Sequence, residues 1–326
     1  MKRIAIILIW FGKLPGWFDL WNLSCSYNST IDFFIITDQE ITNKYDNIKI
    51  IPSSLSEIKV KIEHTLDMDI SLDRPYKICD FRPAFGVIFN EMLAEYDYWG
   101  YCDCDLMFGD IRSFLTEEKL EKYDKIYKLG HLSLYKNTRE VNWAFKKDGS
   151  LVGGYQKVFN SNETFAFDEQ RGIWEILRKH KFNLYANMDF VDIRSNIKEF
   201  RNATRIYSEA VNYDPQIFFW EKGKLYRAYL SNNEIKTDSI IYIHFQKRNM
   251  KLDKKLCDSV DEISGFYIGP NIFIKKDEDI SIDSFHIFDK NTTLLAKWKY
   301  VISRRINAYL KRIKIKWREF YDYSRF

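Results

Sequence analysis

The sequence predicts an α/β fold built on a parallel, doubly wound sheet, and three observations predict it. Short apolar runs at residues 3–11, 31–37 and 48–51 each end in a polar loop. Segments of helical spacing alternate with them, one beginning at Trp17 and one over residues 56–66. Strands alternating with helices imply crossovers between parallel strands. The third observation is a further aromatic run, residues 98–101, that ends abruptly in Asp103-Cys104-Asp105. In open α/β sheets ligands sit beyond the carboxyl ends of the strands, so an acidic tip there is a candidate site.

The elements follow in order. Met1-Lys2-Arg3 before the first apolar run has the outline of a secretory leader. The run is short, however, and leads into Gly12-Lys13-Leu14-Pro15 where a leader has a small-residue cleavage site, so a buried first strand is expected. The loop 12–16 would face the same crevice as the acidic tip. The second strand ends at Asp38 and the third at Pro52. After them a helix is predicted from Pro83 to about Tyr96, because Phe85, Ile88, Phe89, Met92 and Leu93 follow helical spacing. Two readings stand for Asp80 ahead of it. It caps that helix, with Pro83 in the first turn, or together with Arg82 it binds the sugar or diphosphate of a nucleotide.

At the acidic tip, strand alternation points Asp103 and Asp105 to one face and turns Cys102 and Cys104 toward the core. Asp-x-Asp is a short motif, and a solvated turn is its common meaning. Two carboxylates at a strand's end also suit a hard divalent cation that keeps positions open for phosphate oxygens.

Composition sets the outer bounds. At 326 residues the chain can bury a large core, near the upper limit for a single one. Apolar residues at 46% and aromatics at 17% exclude a disordered chain. Tyr and Trp, which offer a flat apolar face with a polar edge, are plentiful and suit sugar contacts as well as a core. Five cysteines, odd in number and without framework spacing, indicate reduced thiols in a cytosolic compartment. No run is long enough to span a bilayer.

The order of a nucleotide-binding α/β half, Asp80-Phe81-Arg82 at a helix start, an aromatic strand and then Asp103-Cys104-Asp105 resembles the bacterial GT-A-fold, DxD-containing glycosyltransferases of polysaccharide gene clusters. Members distantly similar to it, mannosyl- and galactosyltransferases, carry Ser-Asp-x-x-Arg ahead of Gly-Gly-x-Tyr-x-Asp-x-Asp. Here Asp80-Phe81-Arg82 replaces Asp-x-x-Arg, and Trp99-Gly100-Tyr101-Cys102 replaces Gly-Gly-x-Tyr. The resemblance covers most of residues 1–250. It implies a GT-A-like fold, with a Rossmann-like nucleotide-binding half and a mixed central sheet. It also implies Mn²⁺ or Mg²⁺ at Asp103 and Asp105, and a nucleoside-diphosphate sugar, UDP-linked, as donor with Asp80 and Arg82 among its contacts.

Further along, residues 111–123 read as a charged helical connection and residues 127–135 as a strand that carries His131, a structural histidine or a sugar contact. Residues 165–170 are expected to open a helix, where Asp168 and Glu169 would satisfy its first N–H groups and dipole. In the resembling family an acidic pair at this stage binds the acceptor hydroxyl or deprotonates it, a task for a carboxylate within hydrogen-bond reach. Asp168 is the first choice and Glu169 the second. The apolar run 240–245 delivers His244 and then Lys247. The resemblance makes His244 a further metal ligand and places Lys247 on the diphosphate; a strand histidine before a solvated basic turn is the plainer reading.

Composition changes from residue 291. Nine Lys/Arg and no acid lie between positions 294 and 318, so the net charge of +4 belongs to the tail and the rest of the chain is net negative. Leu294, Trp298, Ile302, Ile306, Ile313 and Trp317 recur at helical steps, the pattern of a basic amphipathic helix at an anionic membrane surface. A helix packing its apolar stripe on the domain is the alternative. No nucleic-acid module accompanies the tail.

The sequence therefore predicts a GT-A-like domain over residues 1–290, with a donor half 1–110 and an acceptor half 111–255, and a membrane-association tail over 291–326. The expected protein is cytoplasmic, peripheral on the inner face of the cell membrane, and transfers a sugar to a lipid-linked saccharide. Two rivals remain. A metal-dependent sugar-phosphate nucleotidyltransferase would need a glycine-rich basic loop after the first strand, and residues 12–16 are sparse in glycine. A non-catalytic membrane-associated partner would tolerate loss of Asp103 and Asp105.

Overall fold

A computed structural model describes residues 1–203, 209–246, 248–257, 263–289, 293–303, 305–306 and 309. The chain divides into two units, residues 1–190 and 191–326.

The first unit is a mixed α/β structure around a seven-stranded, parallel-rich sheet. Its strands are β1 (Ile4–Trp10), β2 (Ile31–Thr37), β3 (Ile48–Pro52) and β4 (Tyr98–Cys102), then, after the short β5 (Leu106–Phe108), β6 (Lys125–Ile126), β7 (Leu132–Lys136) and β8 (Leu184–Tyr185). The order is β3-β2-β1-β4-β7-β6-β8. The first four are mutually parallel, with Ile4 opposite both Ile31 and Tyr98, whereas β7 runs antiparallel to β4. The chain thus leaves β1 toward β2 and β3, then returns to its other side at β4. That reversal opens a crevice at the carboxyl ends of β1 and β4.

Alternation explains why both sheet faces are covered. Phe33 points to one face and meets Trp21 of α1 (Phe18–Ser26) edge to face. Phe34 points to the other and joins Ile7, Ile9 and the Ile58–Ile62–Leu66 stripe of α2 (Leu55–Leu66) in one core. Ser54 and Glu57 form a capping box that starts α2.

Several elements differ from the sequence expectation. A 3₁₀ helix (Pro75–Ala84) and two short helices, Phe85–Ile88 and Asn90–Leu93, replace the single helix expected from Pro83. The expected strand over 127–135 is β6 and β7 joined by a turn that carries His131. Residues 111–123 form two capped helices, Ile111–Phe114 and Glu117–Lys122, started by Asp110 and Thr116.

The second unit carries a six-stranded sheet ordered β12-β11-β10-β15-β16-β14. Its strands are β10 (Gln216–Glu221), β11 (Lys224–Ser231), β12 (Glu234–Ile240), β14 (Lys251–Leu252), β15 (Gly265–Gly269) and β16 (Ile272–Lys275), while β9 (Val191–Asp192) and β13 (Tyr242–His244) pair in parallel apart from it. The tight turns Lys222-Gly223 and Asn232-Asn233 have positive φ at both central residues, the handedness that matches strand twist in two-residue hairpins. Ile217, Phe219, Ala228, Tyr267 and Phe288 pack on one face. Among the described residues no helix is long and apolar enough to cross a membrane.

Candidate active site

The acidic tip grows out of a buried strand of the first unit. Every residue of β4 is buried. Trp99 stacks on Tyr135 of β7 with ring centroids 4.4 Å apart and gives its indole N–H to Asn142 Oδ1 at 2.7 Å. Gly100 is needed because a Cβ there would meet the Ser133 carbonyl at 2.4 Å. Cys102 and Cys104 are buried, and burial pushes both thiols above the ordinary range, as core thiols behave. Asp103 and Asp105, between and after them, are partly exposed beyond the carboxyl end of β4. The Asp103 backbone N–H donates to the His131 carbonyl at 2.9 Å and fixes the start of the turn.

One arginine organises what lies beneath. Arg82, nearly buried, donates to Asp103 Oδ1 at 2.5 Å through one terminal nitrogen. Through the other it donates to Asp168 Oδ2 at 3.0 Å and the Gly130 carbonyl at 2.9 Å. Its guanidinium also lies 5.0 Å from the Tyr101 ring centre. A planar fork with several donors suits this three-way task, which a lysine ammonium does not match. Gly130 makes room for it, since a Cβ at that position would sit 2.6 Å from Asp168 Oδ2.

Asp168 is buried, and burial pushes its carboxyl up to about 7 despite the opposing Arg82 charge. It does not start a helix: residues 167–171 are turns, and the helix begins at Ile173. Glu169 beside it is partly exposed. Asp80 is fully buried and holds this segment from below. It accepts from the Phe165 and Phe167 backbone N–H groups at 3.0 Å each and from Lys77 Nζ at 2.8 Å. Lys77 in turn donates to the Val158 and Glu163 carbonyls. Asp80, expected to cap a helix or, with Arg82, to meet a ligand, lies within the 3₁₀ helix Pro75–Ala84, and both residues brace the loop and the acids from within.

At the same end of the sheet, sequence reasoning missed a second feature. Gly12, at φ +90° just after β1, donates its N–H to Asp38 Oδ1 at 2.9 Å just after β2. That bond, joined by one from Gln39 Nε2, holds the Asp38 carboxyl below the usual range. Beside it a cavity of about 440 Å³, lined by Thr37, Asp38, Gln39, Thr42, Pro52 and Ser53 among others, opens at the carboxyl ends of β2 and β3. Asp38 ends an apolar strand as Asp103 does, and that parallel was the available signal.

In the second unit His244 Nδ1 lies 2.8 Å from Asp192 Oδ1, which also accepts from Gln246 Nε2 at 2.7 Å. Asp192 is buried. A neutral imidazole that donates through Nδ1 keeps its lone pair on Nε2, the arrangement found in metal-bound histidines oriented by a carboxylate. Asp192 lay outside the sequence expectation because β9 is only two residues long. Lys247 lies outside the described residues.

The first unit thus presents two partly exposed carboxylates two residues apart, one fixed by an arginine, at the switch point of a parallel-rich sheet, and carboxylate oxygens are the ligand type that hard cations take. The chain belongs to the family of unknown function DUF6625, whose profile matches residues 6–277. No curated protein matches it. One solved structure to which it is similar is that of the glycosyltransferase GlyE of Streptococcus pneumoniae TIGR4. The identity is 16%, the match covers 58% of this chain and 45% of that one, and the TM-score is 0.30. The chain therefore spans less than half of that protein, and the functional reading rests on the residues themselves.

Proposed function

We propose that the protein is a metal-dependent glycosyltransferase that moves a sugar from a nucleoside-diphosphate sugar, UDP-linked, to a saccharide hydroxyl. One observation carries the reading. The acidic turn Asp103–Asp105 and the cavity beside Asp38 lie at the same edge, beyond the carboxyl ends of the neighbouring parallel strands β4, β1, β2 and β3. A cavity of this size suits a nucleoside, and the carboxylates suit a Mn²⁺ or Mg²⁺ ion.

In this reading Asp103 and Asp105 hold the metal, and His244, a ligand by the sequence resemblance alone, is oriented within its own unit by Asp192. The bound cation would neutralise negative charge on the diphosphate. Lys247, from its place in the sequence, supplies a further positive charge there. Arg82 acts at one remove, holding Asp103 in place. Of the two acids expected at the acceptor, Glu169 is the better candidate to meet a hydroxyl, because Asp168 is buried against Arg82. A lipid-linked saccharide of a cell-surface polysaccharide is the acceptor we propose.

The test is thermal stabilisation of the purified protein by UDP, GDP and CMP, each with and without Mn²⁺. A ligand bound only to the native state stabilises by about 2.7 kcal/mol at a hundredfold excess over Kd. The reading expects a shift with UDP that requires Mn²⁺ and is lost in Asp105→Ala. Equal responses with and without metal would remove its basis.

A further inference from the structure

The second unit ends in a segment whose apolar side chains point away from it. The described residues from 294 onward are helical. One side of this helix is seated on its own unit. Tyr300 donates its hydroxyl to the Ser195 carbonyl at 2.9 Å, Lys297 pairs with Glu199 at 2.7 Å, and the Arg248 guanidinium lies 5.2 Å from the Tyr300 ring centre.

At about 100° per residue, Leu294, Leu295, Trp298, Ile302, Ile306 and Tyr309 fall within one arc of roughly 120°, and Tyr300 lies on the opposite side. All six are at least half exposed, Leu294 at 75% and Trp298 at 64%. A helix that buried its apolar stripe would show the reverse. Here the polar and aromatic anchors face the protein while the stripe faces outward. A contiguous row of large apolar residues marks an interaction surface.

Charge identifies the partner. On the same wheel Lys299 lies about 20° beyond one edge of the arc and Arg305 about 20° inside the other, both exposed, and no acidic residue occurs between positions 294 and 318 to oppose them. A protein partner or a second copy of this chain would have to offer an apolar groove rimmed by acid. The helix itself carries no acid, so a symmetric pairing of two copies through it brings like charges together. A bilayer with anionic headgroups supplies both complements at once, apolar depth for Trp298 and its neighbours and negative charge for the ends of the long Lys299 and Arg305 side chains.

We infer that this helix lies in the plane of an anionic membrane surface, held to its own unit by Tyr300 and Lys297 and inserting the Leu294–Trp298–Ile302–Ile306 stripe. The inference is independent of the proposed activity.

The test is vesicle flotation of the full chain with phosphatidylcholine alone and with phosphatidylcholine–phosphatidylglycerol mixtures, at low and high salt. Flotation only with the anionic vesicles, weakened by salt, is expected. Leu295→Ser/Trp298→Ser/Ile302→Ser should abolish it, and Lys299→Gln/Arg305→Gln should lower partitioning by roughly tenfold or more. Because these side chains are exposed, circular dichroism should show both variants folded as the parent is. No flotation with anionic vesicles would overturn the inference. So would flotation that survives loss of the apolar side chains, or a dimer in light scattering that the apolar variant converts to monomer.

Discussion

Arg82→Met is the perturbation on which the site's internal logic depends most. In the parent, one guanidinium serves Asp103, Asp168 and the Gly130 carbonyl, with the side chains of Arg82 and Asp168 at 8% and 3% exposure. Methionine fills much of the volume but leaves a buried carboxylate without its cation, which costs about 3–5 kcal/mol when a buried pair is broken from one side. The loss should depend on pH in a defined sense. The Asp168 carboxyl, already pushed up to about 7 by burial, rises further once Arg82 is gone. Above that pH the folded variant binds more protons than the folded parent, so the variant's stability falls more steeply as pH rises. Urea unfolding followed by circular dichroism should therefore show a larger loss near pH 8 than near pH 6. Adding Asp168→Asn should recover part of it, because a neutral amide needs no cation. A loss under about 1 kcal/mol, unchanged between the two pH values, would refute the reasoning.

Other predictions follow from single contacts. Lys125 is fully buried, its ammonium bonded to the Tyr127 carbonyl and Ser133 Oγ, and burial lowers its pKa to about 7. The unfolded chain binds the extra proton between that value and the ordinary one near 10.4, so parental stability should rise with pH by about 2–3 kcal/mol over two pH units above 7. Lys125→Met should lack that rise in urea titrations at pH 7 and 9. Gly100→Ala sets a methyl against the Ser133 carbonyl and should cost about 1–3 kcal/mol or more in the same assay. Gly12→Ala, forced to φ +90° with open space around it, should cost about 1 kcal/mol; if Asp38 shapes a nucleoside site, its UDP affinity should fall more than its stability does.

The legible part of the fold is the part with strong periodicity. The first three strands, α2 and β4 stand where alternation and apolar runs put them, because each buries a face that the pattern specifies. The segment from Pro75 to Leu93 departs from the expected single helix for a physical reason. Its apolar spacing is helical, but Lys77, Asp80 and Arg82 turn inward to bond carbonyls and carboxylates distant in sequence, and the chain takes a 3₁₀ path to deliver them. No local pattern reports such partners. The same holds for Asp168 and Glu169, whose turn is built by Asp80 accepting two N–H groups from Phe165 and Phe167. The second unit was legible only in part, and Lys222-Gly223 and Asn232-Asn233 are the local hairpin signals its sequence carries. At the site, alternation anticipated buried Cys102 and Cys104 beside partly exposed Asp103 and Asp105, although residues 103–105 lie in a bend beyond β4. The Asp38 cavity needed the parallel order β1-β2-β3, which brings separate loops to one edge.

The measurement that bears most directly on the central claim is calorimetric titration of UDP into the full chain with and without Mn²⁺, repeated with Asp105→Ala. The account predicts binding that appears only with the metal and disappears in the variant while its circular dichroism spectrum stays that of the parent. UDP binding of equal strength in all three conditions, or no nucleotide binding by the folded parent with metal present, would contradict it.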